Sequence, residues 1–166
     1  MHSHDLLIDG YHRIKEEVHA VLDGLSAEQL QARPGDDANS ITWLIWHLTR
    51  VQDDHVADAA GTDQVWLAQD WAARFDLPLP ETDTGYGHTP KEVGQVRVAS
   101  GELLLGYHDA VHERSLQYLS GLTDADLDRI VDEGWDPPVT LGVRLMSVLS
   151  DDLQHVGQAA YARGLL

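Results

Sequence analysis

The sequence predicts an all-α fold, a four-helix bundle with one long connection. Apolar residues recur at steps of three and four over four long segments, the spacing that gathers them on one face of a helix. Capping residues stand in front of the later segments, at Ser40, Thr89 and Thr140. Between the second and third segments, Leu77–His88 holds Pro78, Pro80, Gly85 and Gly87, so it is read as the long connection.

The elements follow in order. Leu7, Tyr11, Ile14, Val18, Leu22 and Leu25 mark an amphipathic first helix from about residue 4 to 24, with Gly24 near its end. Ser26 caps a short turn, Ser26–Leu30, and Pro34-Gly35-Asp36-Asp37 is a loop. Ser40 caps a second helix that runs to about Ala60 and carries His47, Arg50, Asp54 and His55. Val65 to Phe75 reads as helical, anchored by Trp66 and Trp71. The third long helix opens with Thr89 at the N-cap, Pro90 at the first helical position and Glu92 completing a capping box. It is expected to reach about Leu119, turning Val93, Val96, Leu103, Leu104, Tyr107, Val111 and Leu119 toward the core. Gly94, Gly101 and Gly106 each weaken it by roughly 1 kcal/mol relative to alanine, which predicts close helix contacts or a bend. Thr123–Leu127 starts another short turn, and Gly134-Trp135-Asp136-Pro137-Pro138 breaks the chain. Thr140 caps the last helix, which extends to about Arg163 and ends at Gly164. No internal repeat or low-complexity tract divides the chain, so residues 1–166 are read as one domain.

Composition narrows the function. Eleven Lys+Arg face 28 Asp+Glu, a net charge of -17 with histidine neutral. Such a field repels nucleic-acid phosphates and anionic lipid heads, which excludes both as partners. The chain has no cysteine, so disulfides, a cysteine nucleophile and thiolate metal ligands are all excluded, and any metal must be held by nitrogen and oxygen. Met1-His2-Ser3-His4-Asp5 lacks a basic leader, and Leu6-Leu7-Ile8 is too short for a signal or a membrane span. The expected setting is the cytoplasm.

The chemistry concentrates in the last helix, in Asp151-Asp152-Leu153-Gln154-His155-Val156-Gly157-Gln158. Asp151 and His155 are four apart and share a helix face, with Cβ atoms about 5–6 Å apart. A carboxylate and an imidazole so placed can grip one divalent ion; they can equally form an ion pair on a solvated face. A third ligand must come from elsewhere. His47 is the candidate, because it continues the apolar run Trp43-Leu44-Ile45-Trp46 and needs a partner if buried; a hydrogen-bonded core histidine is the other reading. Arg50 and Asp54 share its face, either gripping a substrate carboxylate and orienting the imidazole or pairing with each other. His108 and His112 make a second i,i+4 pair that could hold a metal, but without a third ligand nearby they are read as an exposed pair or a set of core-edge hydrogen bonds. His12 and His19 are read as surface or bundle-edge residues, and Trp135 as a pocket wall.

Ser40-Ile41-Thr42-Trp43-Leu44-Ile45-Trp46-His47-Leu48 together with Asp151-x-x-x-His155-x-Gly157-Gln158 resembles the DinB/YfiT-like superfamily of metal-dependent helical bundles. The likeness covers almost the whole chain in helix order and spacing. It implies a divalent metal, Zn²⁺ or Ni²⁺, held by His47, Asp151 and His155. Many members have histidine where this chain has Asp151. The acidic residue is closer to the mycothiol-dependent maleylpyruvate isomerase branch, whose zinc is held by two histidines and a glutamate. The resemblance therefore implies a thiol transferase or isomerase using a low-molecular-weight thiol such as mycothiol or bacillithiol, with Arg50 as a substrate contact. A metal-stabilised binding or stress-response bundle without turnover and a metal-dependent hydrolase are the alternatives. A small-molecule substrate is expected in each enzymatic case. Five tryptophans and glycine-bearing helix faces offer more apolar contact surface than four helices need, which points to a homodimer.

Overall fold

The computed structural model describes residues 2–166. In chain order its helices are α1 (Ser3–Leu22), α2 (Ala27–Gln31), α3 (Ile41–Ala60), α4 (Val65–Ala68), α5 (Trp71–Phe75), α6 (Pro90–Val93), α7 (Gly101–Leu119) and α8 (Leu141–Arg163). Between α7 and α8 lie a 3-10 turn, Asp124–Asp128, and a short antiparallel hairpin of β1 (Ile130–Asp132) and β2 (Val139–Thr140).

The four long helices α1, α3, α7 and α8 form the bundle, α3 and α1 each packing against both α7 and α8. Cross-helix contacts fix their directions. Tyr11 reaches the Leu145 carbonyl and Arg163 reaches those of Ala20 and Val21, so α1 and α8 run parallel. Arg50 meets Tyr107 and Tyr118 meets Ala59, so α3 and α7 also run parallel. Because α7 must start again at the end where α3 began, the chain has to travel back along the bundle, a distance of about 30 Å for helices of this length. That return is the physical reason for the long connection, residues 61–100, which carries α4, α5 and α6.

The capping signals hold. Ser26, Ser40, Thr89 and Thr140 each accept a hydrogen bond from the backbone N–H three residues on. Leu7, Tyr11, Ile14, Val18 and Leu22 are buried along α1, and Trp43, Trp46, Trp66 and Trp71 join the core.

Three expectations need correction. The third long helix is two elements: the Thr89 capping box starts only α6, and α7 begins at Gly101. Between them the chain is not helical, with Val96 and Val98 buried and Arg97 exposed. β-branched residues alternating along a non-helical segment bury one face as well as a helix would, and Gly94 weakens the helical alternative by about 1 kcal/mol. The stretch from Val65 to Phe75 is likewise two short helices, broken at Asp70, which takes a left-handed conformation at φ 58. The β-hairpin around the Gly134–Pro138 break was not foreseen at all. Among the described residues no helix is long and apolar enough to cross a membrane.

Candidate metal centre

His47 on α3 and Asp151 and His155 on α8 meet across the α3–α8 interface, although more than a hundred residues separate them in sequence. They offer one ligand atom each, all within 4.8 Å of one another. Two donors on one tetrahedral ion with bonds near 2.1 Å stand about 3.4 Å apart, so a small inward rotation closes the set.

The hydrogen bonds orient both imidazoles. His47 is 5% exposed, and its Nδ1–H donates to the Thr84 carbonyl oxygen at 2.5 Å. Its ring stacks on Trp43 at 4.5 Å between centroids. On α8, His155 Nδ1–H donates to Gln158 Oε1 at 2.9 Å. Each ring is thereby left with the Nε2 lone pair free, the arrangement that outer hydrogen bonds impose on metal-ligating histidines. The third member is only loosely engaged. Asp151 Oδ1 stands 3.5 Å from His155 Nε2, and Asp151 Oδ2 is buried without a partner. An orphaned carboxylate oxygen beside two free imidazole lone pairs fits a divalent cation, and the all nitrogen–oxygen donor set suits zinc or nickel.

The electrostatics separate the two histidines. Burial holds the His47 imidazole below its ordinary range, against the opposing pull of the Thr84 carbonyl, so the ring is neutral at neutral pH. Burial also opposes charge on His155 and Asp151, but their mutual attraction outweighs it, assisted at His155 by Gln158. His155 is raised and Asp151 lowered in consequence.

The long connection supplies the carbonyl that orients His47, and Arg50 holds that connection down. Arg50 is fully buried. Its guanidinium donates to the carbonyl oxygens of Asp83 at 3.1 Å and Glu81 at 3.4 Å, and to Gln64 Oε1 at 2.7 Å and the Tyr107 hydroxyl at 3.3 Å. The expected substrate contact through Arg50 is therefore corrected: every face of the fork is turned to protein, and the group is a clamp on the connection. Asp83 and His88 brace the same segment, the Asp83 carboxylate accepting from Gly85 N–H at 2.8 Å and lying 2.9 Å from His88 Nε2.

A pocket of about 450 Å³ opens beside the three ligands, with His47 and Asp151 in its wall. Val51 and Val148 give it apolar surface, and Trp135 and Arg144 border it. Trp135 thus stands where a pocket wall was expected, 67% exposed on the hairpin loop. Arg144, not Arg50, is the pocket cation. It pairs with Asp132 at 2.7 Å and reaches His55 Nδ1 at 3.2 Å, which ties the hairpin to α8. Its signal was present in the sequence, since Arg144, Val148, Asp151 and His155 follow one another at steps of three and four and share a helix face. Asp152, one position on, is fully buried and neither lines the pocket nor joins the cluster.

Comparison with known proteins covers the same region. The sequence pattern of the DinB superfamily matches residues 11–159, a span that includes all three candidate ligands. The fold is also that of a crystal structure of a conserved protein from Enterococcus faecalis, 33% identical, with a TM-score of 0.92 over 98% of this chain and 96% of that one. No curated protein matches the chain.

Proposed function

This chain belongs to the DinB superfamily, and on that premise we propose that it is a metal-dependent enzyme that joins a low-molecular-weight thiol to an electrophilic small molecule. Zinc or nickel would be held by His47 Nε2, the Asp151 carboxylate and His155 Nε2. The observation that carries the reading is the convergence of these three donors beside the 450 Å³ pocket, with His47 and Asp151 in its wall. Three protein ligands leave a coordination position open, as catalytic sites do. Bound there, a divalent ion would lower the pKa of a thiol at that position and so supply a nucleophile at neutral pH. With no cysteine in the chain, the thiol has to come from outside, and mycothiol and bacillithiol are the candidates. The pocket is of the size that takes a small molecule. Val51, Val148 and Trp135 would exclude water around the reacting groups, and Arg144 would attract an anionic substrate.

Gly85 gives a specific check on how His47 is held. Its φ is +89, and a Cβ there would stand 2.8 Å from His47 Nδ1 and 2.9 Å from the Trp46 ring. Gly85→Ala is expected to displace the Thr84 carbonyl from His47 and to lower metal affinity about 10- to 100-fold, the usual effect of losing an orienting partner. The measurement is a zinc titration alongside a melt of the metal-free protein. Undiminished affinity would mean that the Thr84 contact does not orient the ligand.

The function itself is tested with protein purified without a histidine tag, metal-loaded and metal-stripped, against mycothiol, bacillithiol and glutathione with a panel of electrophiles. Metal-dependent thiol consumption is the expected result. If no thiol accelerates any reaction in metal-loaded protein, the transferase reading fails.

A further inference from the structure

We propose that His12 and His112 form a second divalent-metal site, completed by the Glu16 carboxylate, in the groove between α1 and α7. The bundle brings together histidines that the sequence keeps a hundred residues apart. His12 Nδ1 and His112 Nε2 face each other at 3.2 Å. That is the separation of two nitrogen ligands on one ion, about 3.4 Å for bonds near 2.1 Å at a tetrahedral angle. In the metal-free protein the same contact is a hydrogen bond between the two rings. An ion takes the place of the shared proton once the donating ring carries that proton on its far nitrogen, since the accepting ring's facing nitrogen already offers a lone pair.

The surroundings favour an ion over a simple ring pair. His112 is 3% exposed, and while its Nε2 meets His12 its Nδ1 has no partner. The buried His108 ring backs it, near-parallel at 6.2 Å. Burial, helped by Lys15, holds His112 down to about 4, which leaves it an uncharged donor at neutral pH. Glu16 is exposed on the groove wall one helical turn beyond His12, so its carboxylate can swing toward the pair. The one nearby ammonium, Lys15, is already engaged with Asp109 at 3.2 Å, and the -17 charge of the chain draws cations to the surface. The groove, about 900 Å³ and open to water, leaves room for solvent ligands. Two imidazoles and a carboxylate suit a borderline ion such as Zn²⁺, Ni²⁺ or Cu²⁺.

The test is calorimetric titration of Zn²⁺ into untagged metal-free protein, comparing wild type, His12→Ala, Glu16→Gln, His47→Ala and the His12→Ala/His47→Ala double variant. His12 is exposed, so its loss leaves the core intact. Wild type should bind two ions, each single histidine variant one, and the double variant none; Glu16→Gln should weaken one site by about 10-fold or more. Retention of the second ion in His12→Ala would overturn the proposal, as would a wild type whose entire zinc binding disappears in His47→Ala. A wild type that binds only the His12-dependent ion, with that binding unchanged in His47→Ala, would count only against the α3–α8 site, so the two assignments fail separately.

Discussion

His47→Ala is expected to leave the bundle folded and to reduce metal affinity at the α3–α8 site by more than about 100-fold. Removing a mere orienting partner of a ligand already costs 10- to 100-fold, and His47 is itself one of only three protein donors. The loss cannot be made good nearby. Asp54 and His55 line the same pocket, but Asp54 is bonded to Gln64 at 2.6 Å and His55 to Arg144 at 3.2 Å. The metal-free variant should melt slightly lower than wild type, because Thr84 loses its donor and Trp43 its stacked ring, together on the order of 1–3 kcal/mol. The decisive contrast is in the metal response. At a hundredfold excess over its dissociation constant, zinc at the α3–α8 site stabilises wild type by about 2.7 kcal/mol, and the variant should lose that share while keeping whatever the α1–α7 site contributes. Gln158→Ala should fall between them, since it frees the His155 ring without removing a ligand. A His47→Ala protein that melts higher with zinc by the same increment as wild type would exclude His47 from the site.

Much of this arrangement was legible because the signals are local. A serine or threonine in front of a periodic apolar run announces a helix start, and Ser40 and Thr140 do so for α3 and α8, the two helices that carry the ligands. The i,i+4 spacing of Asp151 and His155 needs nothing beyond helix geometry. What failed depends on distant parts of the chain. Val93 and Val96 keep a helical interval, but Val96 and Val98 fit an extended segment as well, and only the return of the connection along the bundle decides between them. Arg50 lies on the face of His47, and nothing in the sequence says that this face is roofed by carbonyls of residues 81–83. The meeting of His12 with His112 is of the same kind, because it requires α1 and α7 to be antiparallel neighbours.

His108→Leu is expected to stabilise the metal-free protein and to flatten its acid denaturation. His108 is fully buried, and neither ring nitrogen has a partner. An unsatisfied buried donor or acceptor costs about 1–3 kcal/mol, so an apolar side chain of similar volume removes a penalty already present at pH 7. The larger effect appears in acid. Burial, followed by the neighbouring His112, holds the folded-state pKa of His108 down from 6.5 to about 3, with Asp109 opposing and His19 and Lys15 assisting. Between those values the unfolded chain takes up a proton that the folded protein refuses, so stability falls as the pH falls. At 1.36 kcal/mol per pKa unit the full span amounts to about 5 kcal/mol, complete near pH 3 and absent above about pH 6.5. His112, lowered to about 4, adds a shorter slope of the same sign that His108→Leu retains. Denaturant unfolding of both proteins at intervals from pH 7 to pH 4 measures the difference directly. The two curves should diverge steadily as the pH drops, with the variant the more stable throughout. Parallel curves would mean that the His108 imidazole is protonated in the folded bundle, and that its burial does not govern acid stability.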